Sequence, residues 1–226
     1  MKAVCTKEVF EYGISLAERF TGKNINLPVL NTILIEADTH TLTITATNLE
    51  YAIQISIPAK VQSLGRVAVP AKILTAVIQS AQEENIELEG KNETLVVKTP
   101  SREGKIIGVR SDDFPLIPKI KKTHTYSFST LALADGIAKI LPAVSTSEFK
   151  PELNGIFFKI APQELILAAT DTFRLAEKKI KIPGGEAEAK TFILPGKIGQ
   201  EIVRIFGDEE REVTLSLGEN QIEIST

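Results

Sequence analysis

The sequence is short of the residues that most often carry chemistry. Among its 226 residues there is one cysteine, Cys5, and there are two histidines, His40 and His124. A single thiol excludes an intramolecular disulfide and a multi-cysteine metal site, and it makes a reducing cytoplasm the expected setting. Tryptophan is absent and aromatics make up only 6%, so the core has to be aliphatic. No run of about 18 apolar residues occurs, which excludes a membrane-spanning helix. Lys7 and Glu8 interrupt the N-terminus before the apolar core of a signal peptide forms. An excess of one charge is lacking too: 26 basic residues stand against 29 acidic ones, a net charge of -3. That disfavours a globally basic nucleic-acid binder, but not a basic face on an acidic body. The hydrophobic and charged shares, 43% and 24%, are those of a globular protein, and the length suits one large domain or two small ones.

What the sequence does have is alternation. Leu42, Ile44 and Ala46 alternate with threonines, and Leu165, Leu167 and Ala169 alternate likewise. Such period-2 patterning describes strands with one face on a core and the other in solvent. Two hairpins are expected, turning at Gly90-Lys91-Asn92 and at Gly218-Glu219-Asn220. Four short helices interrupt the strands. The first runs near 7–20, with Thr6 as its N-cap and Phe10, Ile14, Ala17 and Phe20 on one stripe. The second begins at Pro70, the third follows Ser129 or Thr130, and the fourth begins at Pro195 with Gly207 as its C-cap.

The most informative feature is an internal repeat. Shifted by 123 positions, Leu30, Asn31, Ile33, Leu42, Ala46 and Thr47 meet Leu153, Asn154, Ile156, Leu165, Ala169 and Thr170 without a gap. Pro70-Ala71-Lys72-Ile73 meets Pro195-Gly196-Lys197-Ile198 at offset 125, and Leu95 and Val97 meet Ile222 and Ile224 at offset 127. One helix–strands–helix–strands unit therefore occurs twice. The boundary falls near 119–124, after Phe114-Pro115-Leu116-Ile117-Pro118, which gives domains 1–120 and 121–226. The first copy continues from Lys98 to Pro118 through a strand around Ile106–Val109, and the second stops where that strand should begin. A sheet lacking its last strand has a bare edge, so the chain is expected to be part of a longer one.

Enzyme signatures are missing. No glycine-rich phosphate loop, nucleophile elbow or paired-histidine metal motif is present. His40 and His124 lie far apart in the repeat, and Cys5 reads as a buried structural thiol. Gly184-Gly185 reads as a turn, and Asp208-Glu209-Glu210-Arg211-Glu212 as a solvated loop. No catalytic residue, metal or cofactor is expected. The segment Ala168-Ala169-Thr170-Asp171-Thr172-Phe173-Arg174-Leu175-Ala176 breaks the alternation halfway. Two readings of it stay open. One is a structural turn fixed by an Asp171–Arg174 contact. The other is a protein-binding patch of Thr172, Phe173 and Arg174 beside Leu153.

Five motifs then occur in register with the duplication: Leu27-Pro28-Val29-Leu30-Asn31, Val69-Pro70-Ala71-Lys72, Asp113-Phe114-Pro115, Leu153-Asn154-Gly155 and the 169–176 segment. Over its whole length the chain resembles the bacterial sliding clamp, the beta subunit of DNA polymerase III. The resemblance implies an α+β DNA clamp fold of duplicated helix–antiparallel-sheet domains. It implies a family with three such domains per chain, whose chains pair into a homodimeric ring around double-stranded DNA. A partner-peptide pocket is implied at Leu153, Thr170, Thr172, Phe173, Arg174 and Leu175, serving DNA polymerase III and clamp-loader subunits. The family commonly has glycine where Thr172 stands and histidine or tyrosine where Phe173 stands. Non-specific phosphate contacts are implied for Lys23, Asn24, Lys72, Lys150, Lys197 and Arg204. The function so implied is processivity without bond chemistry. Two alternatives are a β-rich peptide-binding scaffold unrelated to replication and a hydrolase using Asp171 and Arg174; the latter lacks a positioned base or metal set.

Overall fold

The computed structural model describes residues 1–22, 26–147, 149–182 and 189–226. The turn expected at Gly184-Gly185 lies outside them. The chain divides into two compact units, Met1–Pro118 and Lys119–Thr226.

The first unit runs β1 (Lys2–Thr6), α1 (Lys7–Glu18), β2 (Thr32–Ala37), β3 (Thr41–Thr47), β4 (Ala52–Pro58), β5 (Lys60–Ser63), β6 (Gly65–Pro70), α2 (Ala71–Gln79), β7 (Asn85–Lys91), β8 (Thr94–Lys98) and β9 (Glu103–Ile107). Its strands form two antiparallel sheets, ordered β5-β1-β7-β8-β9 and β4-β3-β2-β6. Phe10, Ile14 and Ala17 of α1 recur at helical spacing and are buried. Across from them, Ile33 and Ile35 of β2 and Leu42, Ile44 and Ala46 of β3 are fully buried. Burying each such Leu or Ile contributes about 1.5–3 kcal/mol.

Local details differ from the sequence reading. Thr6 holds the N-cap position of α1, but its side chain makes no capping bond. Instead the Lys7 N–H donates to the Glu84 carbonyl at 2.7 Å, because the helix springs directly from β1. Pro70 and Pro195 end strands and stand at the N-cap, so α2 begins at Ala71 and α4 (Gly196–Phe206) at Gly196. Gly90 and Lys91 belong to β7, and the turn falls at Asn92 and Glu93. Gly90 is kept in the sheet by Met1, whose carbonyl accepts the Gly90 N–H at 2.9 Å and whose ammonium donates to the Gly90 carbonyl at 2.8 Å. Gly207 does cap α4, but with φ -73, in the right-handed region rather than the left-handed one.

The second unit runs β10 (His124–Ser129), α3 (Thr130–Ile140), β11 (Gly155–Ala161), β12 (Glu164–Thr170), β13 (Leu175–Lys181), β14 (Lys190–Pro195), α4, β15 (Glu212–Leu217) and β16 (Ile222–Ser225). Its sheets are ordered β10-β15-β16 and β13-β12-β11-β14. Ser129 caps α3, its Oγ accepting the Ala132 N–H at 3.1 Å. One core joins both sheets to both helices through Phe128, Ile137, Phe158, Leu167, Ile202 and Leu215. Gly136 on α3 lets the helix approach the sheet, since a Cβ there would lie 2.5 Å from Ile180 Cδ1.

The two units share one plan down to strand register. The pairs Leu34↔Thr45 and Ile35↔Ile44 on β2–β3 become Phe157↔Ala168 and Phe158↔Leu167 on β11–β12, each member shifted by 123. A one-residue slip would turn every side chain to the wrong face, so the shared register reflects the shared apolar pattern. β5 and β9 have no counterpart among the described residues of the second unit. In the first unit β9 leads on to a small second cluster, in which Phe114 packs on Leu34 and Ala68.

Candidate functional site

The segment that breaks the alternation is the turn joining β12 to β13. Thr170 ends β12 and Leu175 begins β13, and the two residues pair. Between them Asp171 Oδ1 accepts the N–H groups of Phe173 at 3.0 Å and Arg174 at 2.9 Å. Thr170 Oγ1 donates to the Arg174 carbonyl at 2.8 Å and accepts the Thr172 N–H at 3.1 Å. These bonds use the local acceptors that make Asp and Thr turn residues. Asp171 Oδ2 meets Arg174 Nε at 2.8 Å, so the Asp171–Arg174 contact is present. The Arg174 hydrogen bonds, side chain first and backbone next, hold the Asp171 carboxyl at about 2.

The turn is rigid at its base and bare at its tip. Phe173 is 96% exposed and Leu175 is 73% exposed. The Thr172 backbone has φ 78, a left-handed conformation that β-branched residues avoid. Leu153 closes a short 3-10 turn, Pro151–Leu153, leading into β11. The β11–β12 register puts the start of β11 and the end of β12 at the same end of the sheet. Five of the six residues expected at the pocket thus share one turn, and Leu153 enters the neighbouring strand. An exposed phenylalanine, a leucine and a guanidinium on a fixed turn suit a peptide's apolar anchors and carbonyl groups; nothing in this set activates a nucleophile. Among the described residues no group of three or more His, Cys, Asp or Glu is placed to hold a metal.

The repeat carries the same turn, which the sequence reading did not isolate. Thr47 Oγ1 donates to the Tyr51 carbonyl at 3.0 Å, and Asn48 Oδ1 accepts the N–H groups of Glu50 at 3.1 Å and Tyr51 at 3.0 Å. Leu49, like Thr172, has φ 78. The signal was present, since Asn48 meets Asp171 and the two side chains offer the same acceptor oxygen. What differs is the fourth residue. Tyr51 packs edge-on against Phe20, with ring centroids 5.7 Å apart, whereas Arg174 is left outward.

The residues expected at phosphates are scattered over separate elements. Lys23 and Asn24 lie outside the described residues. Lys72 and Lys197 are exposed and occupy the second position of α2 and α4. Neither helix has an acidic residue in its first turn, so each lysine adds to the positive end of a helix dipole. Lys150 is exposed at the N-cap of the 3-10 turn before β11. Arg204, on the last turn of α4, forms a salt bridge with Glu201 at 3.2 Å.

A duplicated α+β unit of two antiparallel sheets and a helix pair, with an exposed strand-end turn, is the plan of a clamp-type fold. Comparison with known proteins agrees. Residues 1–118 match the N-terminal domain of the DNA polymerase III beta subunit, and residues 128–226 match its central domain. The chain belongs to the DNA polymerase III beta subunit family. It is 31% identical over 206 residues to beta sliding clamps of Staphylococcus aureus and Staphylococcus epidermidis, covering 87% of this chain and 54% of theirs. The chain thus spans about half the length of these curated relatives. Among solved structures it is similar to the DNA polymerase sliding clamp from Bacillus subtilis (TM-score 0.94, 24% identity), covering 100% of this chain and 62% of that one. It is similar also to the DNA polymerase III beta subunit from Thermotoga maritima (TM-score 0.90, 26% identity), covering 100% of this chain and 61% of that one.

Proposed function

We propose that the chain supplies two domains, 1–120 and 121–226, of a sliding clamp of bacterial DNA replication. It takes part in processivity, not bond chemistry. The observation that carries this reading is the matched placement of Lys72 and Lys197 at the second position of equivalent helices, one in each copy of the unit. A cation at a helix N-terminus costs helix stability, by about 0.3–1 kcal/mol. Its occurrence in both copies has a use if each points positive potential at a phosphate backbone. With Lys23, Asn24, Lys150 and Arg204, the lysines contact double-stranded DNA without reading its bases. Such contacts hold while permitting sliding.

The Thr170–Leu175 turn with Leu153 serves as one wall of a site for clamp-binding peptides of DNA polymerase III and clamp-loader subunits. Thr172, Phe173 and Arg174 make its tip. Tethering through such a site raises the effective concentration of polymerase at the primer end. The working form is a homodimeric ring in the cytoplasm. The test is fluorescence anisotropy with labelled duplexes of unrelated sequence. Weak binding, indifferent to sequence and falling steeply with salt, is expected. Strong preference for one sequence, or affinity unmoved by salt, would sink the reading.

A further inference from the structure

The helix α4 carries a carboxylate between its two cations. Glu201 stands four residues after Lys197 and three before Arg204, a spacing that puts the three side chains on one face of the helix. Lys197 and Arg204 are exposed, whereas Glu201 is 8% exposed. Arg204 Nη1 donates to both Glu201 carboxylate oxygens, at 3.2 and 3.3 Å. The contact uses one nitrogen of the guanidinium, so the other N–H groups can meet a second anion without breaking it. Because Glu201 is withdrawn from water, salt screens its field on Arg204 less than it would between two exposed groups.

The equivalent helix lacks this arrangement. Lys72, Ala76 and Gln79 of α2 stand 125 positions before Lys197, Glu201 and Arg204. α2 therefore has one cation and no anion, while α4 has two cations and one anion. Two different sequences reach the same net charge, one positive unit per helix.

We infer that Glu201 limits the grip of α4 on DNA. It cancels the charge of Arg204, so that α4 neutralises one phosphate rather than two and matches α2. The inference rests on the DNA reading given above. Glu201 acts through Arg204 and not on the phosphate, which makes it a positioning residue. Arg204 can still hydrogen-bond a phosphate oxygen through its other N–H groups, but a cation already paired adds little to the counterions released. An equal and modest grip in both copies of the unit suits contacts that must hold while the chain slides.

The probe is a fluorescein-labelled duplex of mixed sequence, titrated into the whole chain by anisotropy at several salt concentrations. Glu201→Gln keeps an acceptor oxygen for Arg204 and removes the negative charge. It should steepen the slope of log affinity against log salt by about 0.9, which adds roughly a threefold loss of affinity between about 50 and 200 mM salt. Arg204→Ala placed on top of Glu201→Gln should restore the slope of the unaltered chain, because the extra charge acts through Arg204. Ala76→Glu sets a carboxylate four residues after Lys72 at an exposed position, and should flatten the slope by a similar amount. A purely structural ion pair predicts instead a lower unfolding temperature for Glu201→Gln with an unchanged slope, and that result would overturn the inference. So would a slope that stays steep in the double variant. If Glu201→Gln does not fold, Ala76→Glu decides alone, an unchanged slope again counting against the inference. An unaltered chain whose affinity ignores salt sinks the DNA reading itself, and this inference with it; a salt-dependent unaltered chain with unmoved variants sinks this inference only.

Discussion

Asp171 and Arg174 are joined at three points. Oδ1 accepts the Arg174 N–H at 2.9 Å, Oδ2 accepts Nε at 2.8 Å, and the Asp171 N–H donates to the Arg174 carbonyl at 3.3 Å. Two of these bonds favour the carboxylate, which is why it sits at about 2 rather than 3.8. The folded pKa lies below the unfolded one, so the contribution to stability is complete above about pH 4 and is lost as pH falls through about 2. Carbon-detected NMR titration of the Asp171 carboxyl should give a midpoint near 2. In Arg174→Ala the midpoint should rise, yet stay below the ordinary value, because two backbone N–H donors remain. A midpoint at the ordinary value in the unaltered protein would show that the pair does not form in solution.

Thr172 takes φ 78 at the tip of this turn. A left-handed conformation costs a non-glycine residue roughly 1–2 kcal/mol. Glycine relieves that strain but loses more backbone freedom on folding, by about 0.5–1 kcal/mol. Thr172→Gly should therefore stabilise the unit by about 0.5–1 kcal/mol, read as a higher denaturant midpoint at unchanged slope. The Thr172 side chain is exposed, so little packing offsets the gain. Leu49→Gly, at the equivalent turn, should act in the same direction.

Gly108 faces the opposite constraint. A Cβ there would stand 1.9 Å from the Ala68 carbonyl oxygen, so the chain cannot cross β6 with any side chain in place. Gly108→Ala should destabilise the first unit by about 2–3 kcal/mol and expose Leu34 and Ala68 as Phe114 lifts away. Thermal unfolding and binding of a hydrophobic dye below the transition are the measurements. An unchanged midpoint would mean that the crossing is looser than this geometry.

The strands and helices were legible because aliphatic residues mark their buried faces plainly. The shared register followed from the repeat: six identical residues at one offset leave a sheet little freedom to slip. The hairpin at Asn92 was misplaced by reading Gly90 as a turn residue, since nothing local reveals that Gly90 pairs with Met1, 89 residues away. Capping by Thr6 was overestimated for the same reason, a distant carbonyl on Glu84 having taken the Lys7 N–H. The turn at Thr170–Leu175 was visible as a break in alternation. Its twin at Thr47–Tyr51 was legible only through the alignment of Asn48 with Asp171; that Tyr51 turns inward to Phe20, unlike Arg174, is a tertiary contact with no signature in the neighbouring residues.

Cys5 is 5% exposed, and burial pushes its thiol up to about 12. The thiolate is the reactive species, so the folded protein should be inert to disulfide reagents at pH 8 and should release one equivalent of thiol signal on denaturation. The raised pKa also means that alkaline solution favours the unfolded chain, in which the thiol ionises freely. Stability from this group should therefore fade as pH climbs from about 9 towards 12. Rapid labelling of the native protein would show that β1 detaches readily from its neighbours β5 and β7.

The lysines at the second position of α2 and α4 permit a test that separates binding from folding. If Lys72 and Lys197 neutralise phosphates, each substitution by alanine should reduce the slope of log affinity against log salt by about 0.9 for every phosphate left without its cation. The weakening should be the same for every duplex sequence, because a phosphate contact carries no base information. Stability should move the other way in Lys72→Ala. Removing a cation from the positive end of a helix dipole gains about 0.3–1 kcal/mol, and alanine favours the helix besides. A variant that binds DNA less tightly while unfolding at a higher temperature is therefore the expected outcome. A structural lysine gives the reverse pattern, with lower stability and an unchanged salt slope. That result would remove the α2 terminus from the DNA interface and leave the equivalent position on α4 without its precedent.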